Sequence, residues 1–256
     1  MDFGIRGKVA LVTGASSGIG EAVALALAAE GARVAVAARR GELLEKLAAR
    51  LKSQGAADAA GFAFDQKDGA SIAALCRDVA KRLGAIEILI VNGGGPKPGT
   101  YTQMGESDWD DAYQMTMMSA IRLVNAVLPA MREKRWGRIV ALESTSVKQP
   151  IPTLSLSNAF RTGVVAALKT LSGEVAADGI TVNSIATGRV VTPRLTALYG
   201  EGDEAIRKAG QGIPIGRPAS TEEYAPLVAF LCGEPARYVT GQTIAIDGGL
   251  TAGLFG

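Results

Sequence analysis

The chain has 256 residues, no histidine, and 27 basic against 25 acidic side chains, for a net charge of +2. Lack of histidine removes the commonest metal ligand and the usual base of a hydrolytic triad, which excludes zinc hydrolases and Ser-His-Asp chemistry. The balanced, dispersed charge excludes a nucleic-acid surface, and a chain of this length buries roughly 70 to 75% of its unfolded surface without needing disulfides or a structural metal.

Short apolar runs alternate with longer amphipathic stretches. The first strand is expected over Lys8 to Val12, followed by the glycine turn Thr13-Gly14-Ala15-Ser16-Ser17-Gly18-Ile19-Gly20 and a helix over Ile19 to Glu30. A strand, a glycine turn and a helix in that order bring backbone amides and a helix N-terminus to a phosphate, so this segment is read as the grip on a dinucleotide. The second strand, Arg33 to Ala38, ends at Arg39 and Arg40. An acidic residue at that point would bind the 2′-hydroxyl of NAD, whereas arginine accommodates the 2′-phosphate of NADP. NADP(H) is therefore the expected cofactor, with NAD(H) as the alternative.

Helices are expected next over Glu42 to Ser53, Ala70 to Leu83, Ser107 to Arg132, Leu154 to Ala177 and Thr221 to Leu231. Between them lie strands at Gly61 to Phe64, Ile86 to Val91, Arg138 to Leu142, Thr181 to Ile185 and Thr243 to Ile246. Alternation of this kind implies parallel pairing through right-handed crossovers. The fold expected is α/β, a doubly wound parallel sheet of Rossmann type with about seven strands. Ligands of such sheets bind beyond the carboxyl ends of the strands.

No Pro/Ser-rich linker or charge block divides the sequence, so residues 1–256 are read as one domain. Cys76 and Cys232 lie in apolar helical stretches and are read as small buried hydrophobes. The basic cluster Arg132, Lys134, Arg135 and Arg138 falls where a helix is expected to end, and cations there suit the helix dipole. The first eight residues lack a signal-peptide core, and no apolar run reaches the ~18 residues of a spanning helix, so a soluble cytoplasmic protein is expected. The apolar positions of Leu154 to Ala177 exceed the needs of one sheet face, which predicts a homo-oligomer, a dimer or a tetramer.

These motifs together resemble the short-chain dehydrogenase/reductase family along nearly the full chain. Thr13 to Gly20 is similar to the family's T-G-x-x-x-G-x-G turn, and Phe64-Asp65, followed by Gln66, to the aspartate that meets the adenine ring. Val91-Asn92-Gly93-Gly94 stands where the family has Asn-Asn-Ala-Gly, with Val replacing the first Asn. Gly137-Arg138-Ile139-Val140 leads to Ser144, placed like the catalytic serine. The run Val182 to Gly188, continued by Val190 and Thr192, resembles the segment that packs on the nicotinamide, Thr187 and Gly188 included. Thr240-Gly241-Gln242 and Asp247-Gly248-Gly249 are similar to the closing strand. The resemblance implies hydride transfer between NADP(H) and a carbonyl or secondary alcohol. The 3-oxoacyl-carrier-protein reductases are the nearest likeness, and a 3-oxoacyl thioester is the leading small-molecule substrate.

The departure from the family lies at its chemistry. Thirteen residues beyond Ser144, where the resemblance calls for Tyr-x-x-x-Lys, stands Ser157-Asn158-Ala159-Phe160-Arg161. Thr116 occupies the place of the family's relay Asn, seven residues after Trp109. A phenol begins near pKa ~10, while an aliphatic hydroxyl begins several units higher, so Ser157 is a poor acid. Arg161 keeps the charge and can donate to ribose hydroxyls, yet it releases no proton at working pH. Losing a positioned general acid typically reduces the rate ~10² to 10⁴-fold. Other proton donors available near the strand ends are Glu143, Ser146, Lys148, Lys97, Tyr101 and Tyr199, each more simply read as a solvated loop residue. Strand alternation turns Glu143 away from Ser144.

Two functional readings follow. The first is an NADP(H)-dependent oxidoreductase in which Ser144 bonds the substrate oxygen, Arg161 anchors the ribose and a proton arrives through Ser157 and water. The second is an NADP(H)-binding pseudoenzyme or regulatory module without turnover, and a non-redox reaction on the same scaffold is a further alternative. Residues 193–214, which mix Leu195, Leu198, Tyr199 and Ile206 with Gly200, Gly202, Gly210 and Gly212, are expected to form a substrate lid.

Overall fold

The computed structural model describes residues 2–254. Seven strands form one parallel sheet in the order β3-β2-β1-β4-β5-β6-β7. They are β1 (Val9–Thr13), β2 (Arg33–Ala38), β3 (Asp58–Ala63), β4 (Ile88–Val91), β5 (Gly137–Ser144), β6 (Ile180–Thr187) and β7 (Thr243–Ile246). Strand order reverses between β1 and β4, which opens a crevice at their carboxyl ends where this class of sheet binds ligands.

Both faces are covered, so strands such as β1 and β5 are buried along their length instead of alternating with water. On one face α1 (Gly18–Ala29), α2 (Gly41–Ser53) and α9 (Thr221–Leu231) pack on Ala10, Val12, Val34, Val140, Leu142 and Ile185. On the other face α3 (Gly69–Leu83), α5 (Ser119–Lys134) and α6 (Ser155–Val175) pack on Val9, Leu11, Leu89, Ile139, Ala141 and Val182. The period of two along β5 thus sends Ile139, Ala141 and Glu143 toward α6, and Val140, Leu142 and Ser144 toward α1 and α9.

The expected seven-strand doubly wound architecture is present; β2 and β7 keep the expected bounds, and the ends of the other five strands shift by up to three residues. β3 starts at Asp58 instead of Gly61 because its Ala and Gly residues carry no β-branched signal, and pairing with β2 alone defines it. β4 starts at Ile88; the Glu87 backbone still bonds to Val9 and Arg138 on either side, and its carboxylate pairs with Lys8 at 2.9 Å.

The helix expected over Ser107 to Arg132 is interrupted. It runs as α4 (Glu106–Ala112), a wide π turn over Tyr113–Met118, and then α5. The Ser119 hydroxyl donates back to the Met115 carbonyl at 2.6 Å within that turn. The π turn places Thr116 beneath the crevice, and such turns recur at functional sites.

The basic cluster near Arg135 also needs correction. Only Arg132 and Lys134 lie in the last turn of α5, paired to Asp178 and Glu87, whereas Arg138 is a strand residue only 2% exposed. Its guanidinium stacks on Trp136 at 4.2 Å, and its Nη2 meets Glu234 at 3.3 Å. Residues 193–214 contain two short helices, α7 (Pro193–Tyr199) and α8 (Asp203–Gly210), tied to the end of β6 by Arg189 through the Ala209 and Gln211 carbonyls.

Candidate active site

The glycine turn is built for a close backbone approach. Gly14 adopts φ 59°, and a Cβ there would lie 2.7 Å from the Asn92 carbonyl. A Cβ on Gly20 would collide with the Gly14 carbonyl and approach Asn92 Nδ2 at 2.7 Å. Asn92 fixes this geometry by donating its Nδ2 to the Thr13 and Gly14 carbonyls at 3.2 Å each, and its backbone N–H to Thr13 Oγ1 at 2.9 Å. Its side chain is therefore a tie between β4 and the turn.

At the start of α1, Ser17 stands at the N-cap without a side-chain cap, leaving the first amides of Gly18, Ile19 and Gly20 available to an anion. Arg40 reaches back to Ser16 Oγ at 3.1 Å, and Arg39 beside it is exposed. Arg39, Arg40, Ser16 and the turn thus gather a phosphate-compatible surface at the ends of β1 and β2. Thr192, the N-cap of α7, faces this turn, since a Cβ on Gly18 would lie 3.2 Å from its methyl.

The neighbouring strand ends supply the rest of the crevice. Asp65 is exposed and accepts the Lys67 amide at 2.9 Å, while Gln66 Nε2 donates to Met115 of the π turn at 3.3 Å. Gly93 and Gly94 are exposed beside Gln66. Gly188 packs on Asp247, Val190 is buried and bridges to Ala219, and Thr187 Oγ1 lies 2.6 Å from the buried Tyr224 hydroxyl. Burial pushes the Tyr224 phenol above its ordinary range.

Two residues expected to do chemistry lie on different elements, Ser144 at the end of β5 and Ser157 in α6. Ser144 Oγ accepts the Ser146 amide at 3.1 Å and caps the short helical turn Thr145–Val147. Ser157, in the first turns of α6, is 6% exposed, and its Oγ accepts from Arg161 Nε at 3.1 Å, one helical turn on. No hydrogen bond joins Ser144 to Ser157 among the described residues.

Glu143 overturns its expectation as a solvated loop residue. It is 6% exposed, and its Oε2 accepts from Arg161 Nη1 at 2.8 Å. Arg161 Nη1 also meets the Leu142 carbonyl at 3.4 Å. Burial pushes the Glu143 carboxyl up, against the opposing pull of Arg161. Alternation does turn Glu143 from Ser144, but it turns it onto the α6 face where Arg161 lies.

Glu143, Arg161, Thr116, Gln66, Asn92 and Gly93 line a common small pocket of about 20 Å³. Thr116 Oγ1 is buried there with no partner among the described residues.

Of the other proton-donor candidates, Ser146 is buried and Lys97 pairs with Asp108 at 3.0 Å. Tyr101 is 72% exposed against Trp109, and Tyr199 lies beneath Arg189. Lys148 is half-buried beyond the Thr145–Val147 turn. Arg194, which sequence reasoning passed over, crosses the crevice from α7, so that a Cβ on Gly95 would lie 2.6 Å from its Nη2. Desolvation and the nearby Arg161 charge both lower its pKa. The only sequence signal for Arg194 was its place at the head of the lid segment.

Comparison with known proteins accords with this geometry. A family profile described as enoyl-(acyl carrier protein) reductase matches residues 14–251. The chain belongs to this family, the short-chain dehydrogenase/reductases. It is 36% identical over 247 residues to the 3-oxoacyl-(acyl-carrier-protein) reductase FabG of Pseudomonas aeruginosa, covering 96% of this chain and 98% of that protein. The same-named protein of Escherichia coli is 34% identical over 245 residues, with 96% and 98% covered.

Among solved structures, L-sorbose reductase from Gluconobacter frateurii, complexed with NADPH and L-sorbose, superposes with a TM-score of 0.94 at 32% identity, covering 99% of this chain and 100% of that one. A single-residue variant of the actinorhodin polyketide ketoreductase, with NADPH, superposes at 0.89 with 36% identity, covering 96% and 98%.

Proposed function

We propose that this protein is an NADP(H)-dependent reductase of a ketone carbonyl, with a 3-oxoacyl thioester as the leading substrate. The observation that carries the reading is the tight turn at Gly14 and Gly20, where a Cβ would strike Asn92 and the Gly14 carbonyl, leading into a helix whose N-cap Ser17 makes no side-chain cap bond, with Arg39 and Arg40 beside it. That set of donors fits a diphosphate and a 2′-phosphate. The relatives named FabG and the NADPH-bound reductases support the same coenzyme and substrate class.

On this reading the amides of Gly18, Ile19 and Gly20, with Ser16 and Ser17, hold the diphosphate, and Arg39 and Arg40 hold the 2′-phosphate. Asp65 and Gln66 flank the adenine, while Asn92, Gly93 and Gly94 line the ribose side. Thr187, Gly188, Val190 and Thr192 face the nicotinamide. The bound coenzyme supplies hydride to the carbonyl carbon. Ser144 donates to the carbonyl oxygen, Ser157 fixes the Arg161 side chain, and Arg161 orients toward the ribose while holding Glu143. Thr116 holds water at the pocket floor.

Residues 193–214 close over the substrate as a lid on the Arg189 tie, and α6 contributes to a homo-oligomer, a dimer or a tetramer. Two buried unpaired cysteines support a reducing, cytoplasmic compartment. No described helix is long and apolar enough to cross a membrane.

A second reading, coenzyme binding without turnover, is favoured by the buried Ser157 hydroxyl held by Arg161 where a phenol is missing. Fluorescence quenching by NADPH combined with a carbonyl panel that includes a 3-oxoacyl thioester separates the two. Binding with turnover supports the reductase, and binding without turnover refutes it.

A further inference from the structure

We propose that Tyr224 is a positioning residue for the coenzyme: its phenol donates to Thr187, which commits the Thr187 hydroxyl to donate in turn to the nicotinamide carboxamide oxygen. The inference rests on the coenzyme half of the reductase reading above. Tyr224, on α9, is 0% exposed, and its Oη lies 2.6 Å from Thr187 Oγ1 at the end of β6. The phenol has no other hydrogen-bond partner among the described residues. It sits in the apolar cluster of Leu142, Ile185 and Val228. Were Thr187 the donor, the phenol hydrogen would be stranded unpaired among those side chains, the costly arrangement. The phenol is therefore the donor and Thr187 the acceptor.

A threonine hydroxyl carries one hydrogen and two lone pairs. With one lone pair occupied from α9, the Thr187 hydrogen still has no acceptor among the described residues. Thr187 is only half-buried, so a ligand can meet it. A hydroxyl that accepts from a phenol is also polarised toward donating, which strengthens the next bond in the chain.

The order of strands says which part of the coenzyme lies there. Arg39 and Arg40 follow β2, the glycine turn follows β1, and the sheet continues through β4 and β5 to β6. A dinucleotide with its 2′-phosphate at β2 and its diphosphate at β1 has its nicotinamide half over the tips of β4 to β6. Thr187 stands in register with Ser144 at those tips. The chain then returns to the glycine turn at Thr192, whose methyl would lie 3.2 Å from a Cβ on Gly18. The carboxamide is the polar group of the nicotinamide ring, and its oxygen is an acceptor for the free hydrogen.

The test compares NADPH with 2′-phospho-ADP-ribose, which keeps the adenosine, the 2′-phosphate and the diphosphate but has no nicotinamide. Titrations are run below the melting range of each variant. Thr187→Val should raise the NADPH Kd about 3 to 10-fold and Tyr224→Phe about 2 to 5-fold. Both should hold 2′-phospho-ADP-ribose within about 2-fold of the parent, which also shows that the fold is intact. Since the phenol acts only through Thr187, the double variant should match Thr187→Val within about 2-fold. Thr187→Ser keeps the hydroxyl and should stay within about 3-fold of the parent.

NADPH affinity unchanged in both single variants overturns the proposal, as does an equal loss for the two ligands. A Thr187→Ser variant as weak as Thr187→Val overturns it too, because the hydroxyl would then not be the group that binds. A parent that binds neither ligand overturns the coenzyme reading and this proposal together. NADPH binding without carbonyl turnover sinks the reductase reading alone, and the split between the two ligands still decides the role of Tyr224.

Discussion

Replacing Arg161 with Met isolates the energetic role of the ion pair beneath the crevice. The Glu143 side chain is 4% exposed and its partner 13%, at a separation of 2.8 Å. Removing one member of a buried pair strands the other charge, at a cost of about 3 to 5 kcal/mol. For a domain of this length 1 kcal/mol moves Tm by about 2 to 4 °C, so the variant should melt roughly 6 to 20 °C below the parent at pH ~8.

The deficit should depend on pH with a defined sign. In Arg161→Met the folded Glu143 pKa rises still further above the unfolded value of ~4.3. A group with a raised folded pKa contributes stability that is fully present below the unfolded pKa and is lost as pH climbs through the folded one. The Tm gap between variant and parent should therefore narrow as pH falls from ~8 toward ~5, at up to ~1.4 kcal/mol per pH unit within that window. Thermal melts followed by circular dichroism at both pH values give the answer. A gap of under ~2 °C, or one of the same size at both pH values, would refute the argument that Glu143 is a buried charge dependent on Arg161.

Other consequences follow from the same geometry. Gly20→Ala drives a Cβ into the Gly14 carbonyl and Asn92, and should weaken NADPH binding by at least ~10-fold by fluorescence titration; unchanged affinity would remove the turn from the phosphate site. The double change Arg39→Ser with Arg40→Ser should raise the NADPH Kd ~10 to 100-fold and leave NADH within a few-fold, and equal loss for both coenzymes would contradict a 2′-phosphate role. Tyr224→Phe leaves Thr187 Oγ1 without its 2.6 Å partner in the core, so urea unfolding should show a loss of about 1 to 3 kcal/mol.

Much of the fold was legible because its signals are local and repeated. Strand β2 (Arg33–Ala38), helix α2 (Gly41–Ser53) to within a residue and strand β7 (Thr243–Ile246) follow from apolar runs bounded by turns, and the glycines at 14, 18 and 20 mark the turn after β1 by residue type alone. What escaped depends on contacts distant in sequence. The π turn at Tyr113–Met118 leaves no periodicity break strong enough to see, and β3 is set by its pairing with β2. Arg138 looks like a helix-end cation until Trp136 and Glu234 are placed around it. Glu143 is the clearest instance. Alternation gives its direction correctly, yet its meaning comes from Arg161, 18 residues on, and that pairing emerges only when α6 is laid against β5.

The central claim is that this crevice holds a phosphorylated nicotinamide dinucleotide against the turn at Gly14–Gly20. Isothermal titration of the purified protein with NADPH and, separately, NADH tests it most directly. The account predicts saturable binding of NADPH that is tighter than that of NADH. Absence of binding by either coenzyme up to ~1 mM, or tighter binding of NADH, would contradict it.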